Sequence, residues 1–235
     1  RTQAPIARIG HSILIYEVKG SEGNRAAVVL GVPMAELAEP ERALLAGGAS
    51  LRSYDPASGT IIPRAYAADE TWYAAAEAPA DALRLRDGPG YVLYQLPSLG
   101  PNGGSAEAQF GEYVRMLGHE VAAERTGAGS QVAVDVRWEV MRPPHRAAKT
   151  FAHLLDAEGR YVAGWDGLAA PATCWEAGDE VRQRYQFVAP GDLSAGSYRI
   201  EIGWYDAETQ ERWPCYVGGE WTGDRLLLEE EAVDW

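Results

Sequence analysis

Hydrophobic and polar residues alternate through most of the chain after residue 109, and this pattern predicts a β-sandwich. In Gln131–Val140 every second residue is apolar, and the residues between them are mostly polar or charged. A period of two over that length is typical of a strand with one buried and one solvated face. Tyr198–Trp204 repeats the pattern, with Arg199 and Glu201 on the solvated face. We therefore predict a mainly β protein, an antiparallel sandwich of the immunoglobulin or jelly-roll kind.

The same periodicity sets the predicted elements of this half. Strands are predicted near 109–117, 130–140, 148–156, 160–165, 180–188, 197–205, 211–217 and 224–230. Asp156–Gly159 and Asp206–Gln210 are predicted hairpin loops. Trp138 and Trp204 follow the buried phase of their strands, which predicts that both are core residues.

The first hundred residues are predicted to form a smaller α+β or β region. Pro33–Ala46 is the best helix candidate, because it is rich in Ala, Leu and Glu and is followed by Gly47-Gly48. Strands are predicted at 11–18, 26–30, 71–75 and 91–96, and a hairpin is predicted from 51–54 and 60–63 around Asp55–Gly59. The Gly- and Pro-containing tract Ser98–Ser105 then separates two predicted domains, residues 1–100 and residues 106–235.

Composition and charge exclude some classes of partner. Hydrophobic residues make up 46% of the chain, which is enough for an ordinary core. The net charge of −13 disfavours binding to nucleic acid or an anionic membrane through a basic patch. No apolar run of about 18 residues is present, so we expect no membrane-spanning helix. Because the chain begins at Arg1, we expect a processed product or a fragment.

No catalytic, phosphate-binding or metal-binding motif is found in the chain. The four histidines are scattered, and His153, which alternates with Phe151 and Leu155, is predicted to point into or along the core face. The many carboxylates leave a glycosidase pair open without placing one. Carboxylates in the two hairpin loops are calcium candidates, although ordinary turn chemistry, in which such side chains stay solvated, is the favoured explanation: Asp156, Glu158, Asp206 and Glu208. We predict no catalytic residue, no metal and no cofactor.

The two cysteines, Cys174 and Cys215, both lie in turn-like sequence. An even number of cysteines in a chain with extracytoplasmic character permits one disulfide between them. The alternative is two free, partly buried thiols. Neither cysteine belongs to a CxxC pair, so a metal or redox role is not predicted.

Four tryptophans at strand ends or in loops are the candidate contacts for a ligand or a partner: Trp165, Trp175, Trp213 and Trp221. Exposed aromatic rings stack on sugar rings or pack against a protein surface. The alternative is that these rings close the ends of the sandwich.

Several segments after residue 109 together resemble a known family. They are Phe110–Gly118, Phe151–Gly159, Trp165–Gly167, Cys174–Gly178, Pro190–Tyr198, Gly203–Asp206 and Glu211–Pro214. In this order they resemble the β-sandwich found C-terminal to the membrane helices of bacterial (Chloroflexota-like) glycosyltransferases of the protein-mannosyltransferase type. The resemblance implies a sandwich outside the cytoplasm. It supplies no catalytic residue, since that family's catalytic carboxylates lie in the membrane part.

The sequence therefore favours a non-enzymatic, extracytoplasmic β-sandwich module. It would bind carbohydrate or a protein partner at the cell surface, as the tail of a membrane glycosyltransferase or separately. One alternative is a structural subunit of a cell-surface or membrane-associated assembly, which would use sheet edges and exposed aromatics. A hydrolase with an unrecognised site is the third hypothesis.

Overall fold

The computed structural model describes residues 7–9, 13–15, 27–46, 49–63, 71–75, 83–96, 108–126, 129–191, 193 and 196–234. The protein is mainly β, as predicted. Its described strands are, in chain order, β1 (Ala7–Ile9), β2 (Ile13–Ile15), β3 (Ala27–Leu30), β4 (Ser50–Ser53), β5 (Gly59–Ile62), β6 (Thr71–Ala75), β7 (Leu83–Gly88), β8 (Tyr91–Leu96), β9 (Ala108–Phe110), β10 (Val114–Thr126), β11 (Gly129–Val140), β12 (Ala148–Leu155), β13 (Tyr161–Gly167), β14 (Glu180–Ala189), β15 (Ser197–Asp206), β16 (Cys215–Val217), β17 (Glu220–Gly223) and β18 (Leu226–Asp234).

Two antiparallel sheets form the sandwich. The larger sheet has seven strands in the order β17-β16-β9-β10-β11-β14-β5, and the smaller has four in the order β13-β12-β15-β18. Alternation places the apolar residues of β11 and β15 on the inner faces of the sheets, where they form one continuous core. Trp138 and Trp204 are fully buried in it with their rings edge to face at 5.3 Å, which confirms their predicted core position.

A five-stranded sheet, in the order β4-β3-β6-β8-β7, is built from the N-terminal region. Strand β3 lies between β4 and β6 and runs parallel to both. The predicted helix is shorter than expected: a 3₁₀ turn covers Met34–Glu36, and α1 covers Glu39–Ala46. Leu37 is extended between them, and Pro40 stands in the first turn of α1, where a missing backbone N–H costs nothing. The predicted stop at Gly47-Gly48 lies outside the described residues.

The predicted hairpin between residues 51 and 63 is wrong. The turn itself forms, because Ser58 N donates to Asp55 O at 3.0 Å, but the strands on either side belong to different sheets. β4 pairs with β3, whereas β5 pairs with β14 at the edge of the sandwich. Four to five residues of turn sequence do not decide which partner a strand finds. The division into residues 1–100 and 106–235 stays a prediction, and in the structure β5 crosses it.

A buried ion pair also joins the N-terminal sheet to the sandwich. Arg52 Nε donates to Asp179 Oδ2 at 2.6 Å, and both residues are buried. The Ser50 hydroxyl donates to Glu176 Oε1 at 2.7 Å beside it. Burial raises the pKa of Asp179, although the neighbouring Arg52 guanidinium opposes that shift. Because an unpaired buried charge is costly, this pair couples the two regions.

Two predicted strands are divided in the structure. The strand expected at 109–117 is a hairpin, since β9 and β10 are separated by a turn at 111–113. The segment expected at 211–217 makes a single bridge from Arg212 to Tyr205 and then passes to the larger sheet as β16. Among the described residues, no helix is long and apolar enough to cross a membrane.

Candidate functional site

An open groove of about 520 Å³ crosses the outer face of the seven-stranded sheet. Its floor is formed by the middle of β10, β11 and β14. The ionisable side chains that line it are His119, Glu120, Asp135, Arg137, Arg182 and Arg184. A concave site of this size with several converging polar groups is the usual form of a ligand site.

Strand alternation fixes the direction of these side chains. In β11 the valines at 132, 134 and 136 are buried in the core, so Asp135 and Arg137 project from the opposite face. In β14, Val181 and Tyr185 are buried in the same way, and Arg182 and Arg184 project outward. A site built on paired strands is held more rigidly than one built on loops.

Two ion pairs organise one part of the groove. Arg184 and Asp135 stand directly opposite each other, and the guanidinium donates to both carboxylate oxygens at 2.8 and 2.9 Å. Arg182 Nε donates to the carboxylate of Glu180 at 2.9 Å. These planar, fixed groups keep further donors and acceptors for a ligand. Alternation in 180–188 could have revealed the outward arginines, but only the strand pairing brings them beside Asp135.

The outer face of the four-stranded sheet carries a second polar cluster. His153 Nδ1 lies 3.0 Å from Glu201 Oε1, and its Nε2 lies 2.8 Å from Asp166 Oδ1. Tyr205 donates its hydroxyl to Asp166 Oδ2 at 3.0 Å. Arg225 completes an ion pair with Glu201 Oε2 at 3.1 Å. This network, the His153 cluster, uses residues from β12, β13 and β15 and from the segment before β18.

The prediction that His153 points into or along the core face is wrong. Thr150, Ala152 and Leu154 of β12 face the core, so His153 projects from the outer face. Burial lowers the pKa of His153, but the facing carboxylates of Glu201 and Asp166 outweigh it and raise the pKa overall. Burial by itself would raise the pKa of Glu201. His153 and the two nearby arginines outweigh that effect, so the pKa of Glu201 is lowered.

Glycines make room for the rings of this cluster. A Cβ at Gly203 would lie 2.4 Å from Phe151 Cζ, and a Cβ at Gly164 would lie 2.6 Å from His153 Cδ2. The two rings stack with centroids 4.6 Å apart, and the Arg212 guanidinium covers Phe151 at 4.4 Å. The charges of the His153 cluster are paired and its rings are covered, so this cluster is a closed surface.

The structure does not bring the four candidate tryptophans together on one surface. Trp175 is 4% exposed and donates its Nε1–H to Ala170 O at 2.9 Å, and Trp213 is 8% exposed and stacks on Trp204 at 5.5 Å. Trp165 packs edge to face on Tyr185 at 5.6 Å. These three rings close the core. Trp221, on β17, is 69% exposed. Their role as contacts stays a prediction, and their positions favour Trp221.

Both cysteines are free thiols in the structure, so the predicted Cys174–Cys215 bridge is not formed. The Cys174 thiol donates to Pro171 O at 3.0 Å, in a segment that contacts β14, whereas Cys215 is buried on β16. Three strands separate β16 from β14 in the sheet order. A disulfide needs Cα atoms within about 7 Å, and adjacent strands alone are nearly 5 Å apart.

The loop carboxylates serve their own turns. Asp156 Oδ1 accepts the backbone N–H of Glu158 and of Arg160, and Asp206 Oδ1 accepts those of Glu208 and Thr209. This is the ordinary turn chemistry of aspartate. Within the described part of the chain, no three His, Cys, Asp or Glu side chains are grouped closely enough to hold a metal ion.

A second cleft of about 430 Å³ lies at one end of the sandwich, between the turn at 111–113 and the loops at 144–147 and 206–214. Its aromatic residues, Tyr113 and Trp213, contact each other with ring centroids 4.5 Å apart. Trp213 also packs on Trp204, so little of its ring is left for a ligand.

No protein-family model matches the chain, and no curated protein does. The resemblance to mannosyltransferase tails therefore has no support from a family model. Similar solved structures include the C-terminal domain of Wzt, with 12% identity and a TM-score of 0.35 over 58% of this chain and 84% of that one. A calcium-binding mutant of Bacteroides uniformis β-glucuronidase 2 has 10% identity and a TM-score of 0.36 over 60% of this chain, which spans only 17% of the glucuronidase. Likenesses at these TM-scores carry no argument about function.

Proposed function

We propose that this protein is a non-catalytic β-sandwich module that binds carbohydrate in the groove on its seven-stranded sheet. One observation carries the proposal: an open groove of about 520 Å³ is floored by regular strands and lined by fixed planar polar side chains. Sugar hydroxyls present donors and acceptors together, and the paired Asp135 carboxylate and Arg184 guanidinium match both.

The test is affinity electrophoresis of the chain through native gels containing individual polysaccharides. Arg184→Gln should reduce retardation about tenfold, since a hydrogen bond to a charged group contributes about 1.5–3 kcal/mol. The matched control is Arg160→Gln, which breaks a similar pair with an Nε–Oδ2 distance of 2.8 Å at a hairpin loop outside the groove. If no polysaccharide retards the protein, or if both variants behave alike, the proposal fails.

We place this module outside the cytoplasm, as the tail of a membrane glycosyltransferase. The sequence resemblance alone supports that placement. The test is to read the gene upstream of the Arg1 codon. Membrane helices encoded in the same frame would support it, and a start codon directly before this region would contradict it.

A second candidate function, as a structural subunit, is favoured by the exposed Trp221. It stands on the β16–β17 hairpin, opposite Tyr216 and near Val217, which is also exposed. An exposed aromatic ring on a sheet edge is a common contact in assemblies. Size-exclusion chromatography with light scattering on the protein and on Trp221→Ala tests it. A monomer across the concentration range would exclude self-assembly.

A further inference from the structure

Two arginines face each other across the centre of the groove. In the strand register Arg137 of β11 is opposite Arg182 of β14, and Gly118 of β10 is opposite Arg137 on its other side. Like charges directly across a strand pair repel each other and destabilise the sheet. Because Gly118 has no side chain, the space beside Arg137 stays open.

Only one of the two guanidinium groups is paired with a carboxylate of the described residues. Arg182 pairs with Glu180, whose carboxylate is fully buried. Arg137 donates to the Leu117 carbonyl at 3.3 Å, and no carboxylate of the described residues lies within ion-pair distance of it. The Asp135 carboxylate in the next row is already held by Arg184. An anion placed over Arg137 and Arg182 would therefore relieve repulsion as well as bind.

The overall charge of −13 does not oppose such a site. At physiological ionic strength the screening length is about 8 Å, so the local arginines outweigh distant carboxylates. Glu120 stands opposite Asp135 in the register, in the row next to the arginines. It repels an anion from that row. The groove is thus polarised: one row carries two arginines, and the next carries two carboxylates and Arg184.

We propose that the groove selects acidic saccharides, with a sugar carboxylate bound between Arg137 and Arg182 and the neighbouring hydroxyls bound by Asp135 and Arg184. This inference rests on the proposed carbohydrate-binding function and adds the chemical class of the ligand. Guanidinium groups bind carboxylates through two parallel hydrogen bonds, a geometry that lysine cannot supply. A neutral sugar would leave Arg137 without an anionic partner among the described residues.

The experiment compares polysaccharides that carry free carboxylates with esters of the same polymers, in which the carboxylate charge is removed. Affinity electrophoresis uses polygalacturonate against its methyl ester, and alginate against its propylene glycol ester, with dextran sulfate as a non-carboxylate anion. At least one acid form should retard the protein about tenfold more than its ester, as expected for a lost charge-assisted bond. Arg137→Gln should abolish that difference, while Arg160→Gln, outside the groove, should retain it.

Three outcomes would overturn the inference. If esters and acids bind equally, the groove binds carbohydrate without selecting charge, and only the proposed function survives. If dextran sulfate binds as well as the preferred acid form, the site attracts charge without recognising a carboxylate sugar. If Arg137→Gln keeps the preference, the arginine row is not its source. Failure to bind any polysaccharide would refute the proposed function itself.

Discussion

The two outer faces of the sandwich carry similar residue types, but the charges are paired on one face and incompletely paired on the other. On the four-stranded sheet, His153 and the neighbouring arginines are matched by Glu201, Asp166 and Asp224, and the network is closed. On the seven-stranded sheet, Arg137 faces another arginine and pairs with no described carboxylate. Charge content alone therefore does not identify a binding surface. What matters is whether the charges of that surface are already neutralised by their neighbours.

The largest expected difference between the faces is in stability. Glu201 is 3% exposed and is paired with His153, Arg212 and Arg225. Glu201→Gln should lower the free energy of unfolding by about 2–4 kcal/mol, because it leaves partly buried cations without their counterion. Arg137→Gln should change it by less than about 0.5 kcal/mol. Urea unfolding measures both values, and equal losses would contradict the contrast.

A smaller effect on stability is expected from a methyl group added beneath the Phe151 ring. Gly203→Ala places a methyl group 2.4 Å from Phe151 Cζ, so the ring must move from beneath Arg212. Overpacking of this kind costs about 1–3 kcal/mol. Gly196→Ala is the control, because nothing lies within 4 Å of its added Cβ. Thermal unfolding of the pair tests whether the closed face is also tightly packed.

The His153 cluster on the four-stranded sheet should also make stability depend on pH. The pKa of His153 is raised above its ordinary 6.5, so its contribution is full below that pH and is lost as pH rises through the folded pKa. The pKa of Glu201 is lowered below 4.5, so its contribution is present above that pH and is lost as pH falls through the folded pKa. Melting temperature should therefore peak between about pH 4.5 and 6.5.

His153→Gln should remove the decline in melting temperature on the alkaline side of that maximum. Arg137→Gln on the open face should keep the profile of the unmodified protein. Melting curves recorded from pH 4 to pH 9 make the comparison. An unchanged alkaline decline in His153→Gln would show that another group controls it.

The smallest expected effect on stability is at the exposed edge of the larger sheet. Trp221→Ala should change the free energy of unfolding by less than about 0.5 kcal/mol, because the ring is 69% exposed. Trp213→Ala should cost about 3–5 kcal/mol, because that ring packs on Trp204 in the core. Chemical denaturation of the two variants checks this, and a large loss in Trp221→Ala would mean that the ring is covered.

Alternation in the sequence determined much of the fold. It was sufficient for the sandwich class, for the buried tryptophans at 138 and 204, and for the outward direction of Asp135 and Arg137. It failed in β12, where both phases carry apolar residues. Phe151 and Leu155 predict that their face of β12 lies on the core, but the opposite face, which carries Ala152 and Leu154, lies there. A period of two defines two faces, but it does not say which is buried when both are partly apolar.

Only the tertiary structure decided which strands are neighbours, and the candidate sites depend on that. Arg137 and Arg182 are 45 residues apart and meet because β11 pairs with β14. His153 meets Glu201 and Asp166 because β12 lies between β13 and β15. Tertiary packing likewise buried Trp175 and Trp213 against Trp204 and left Trp221 exposed. Strand pairing joins residues distant in sequence, and the local pattern that makes a segment a strand carries no information about its partner.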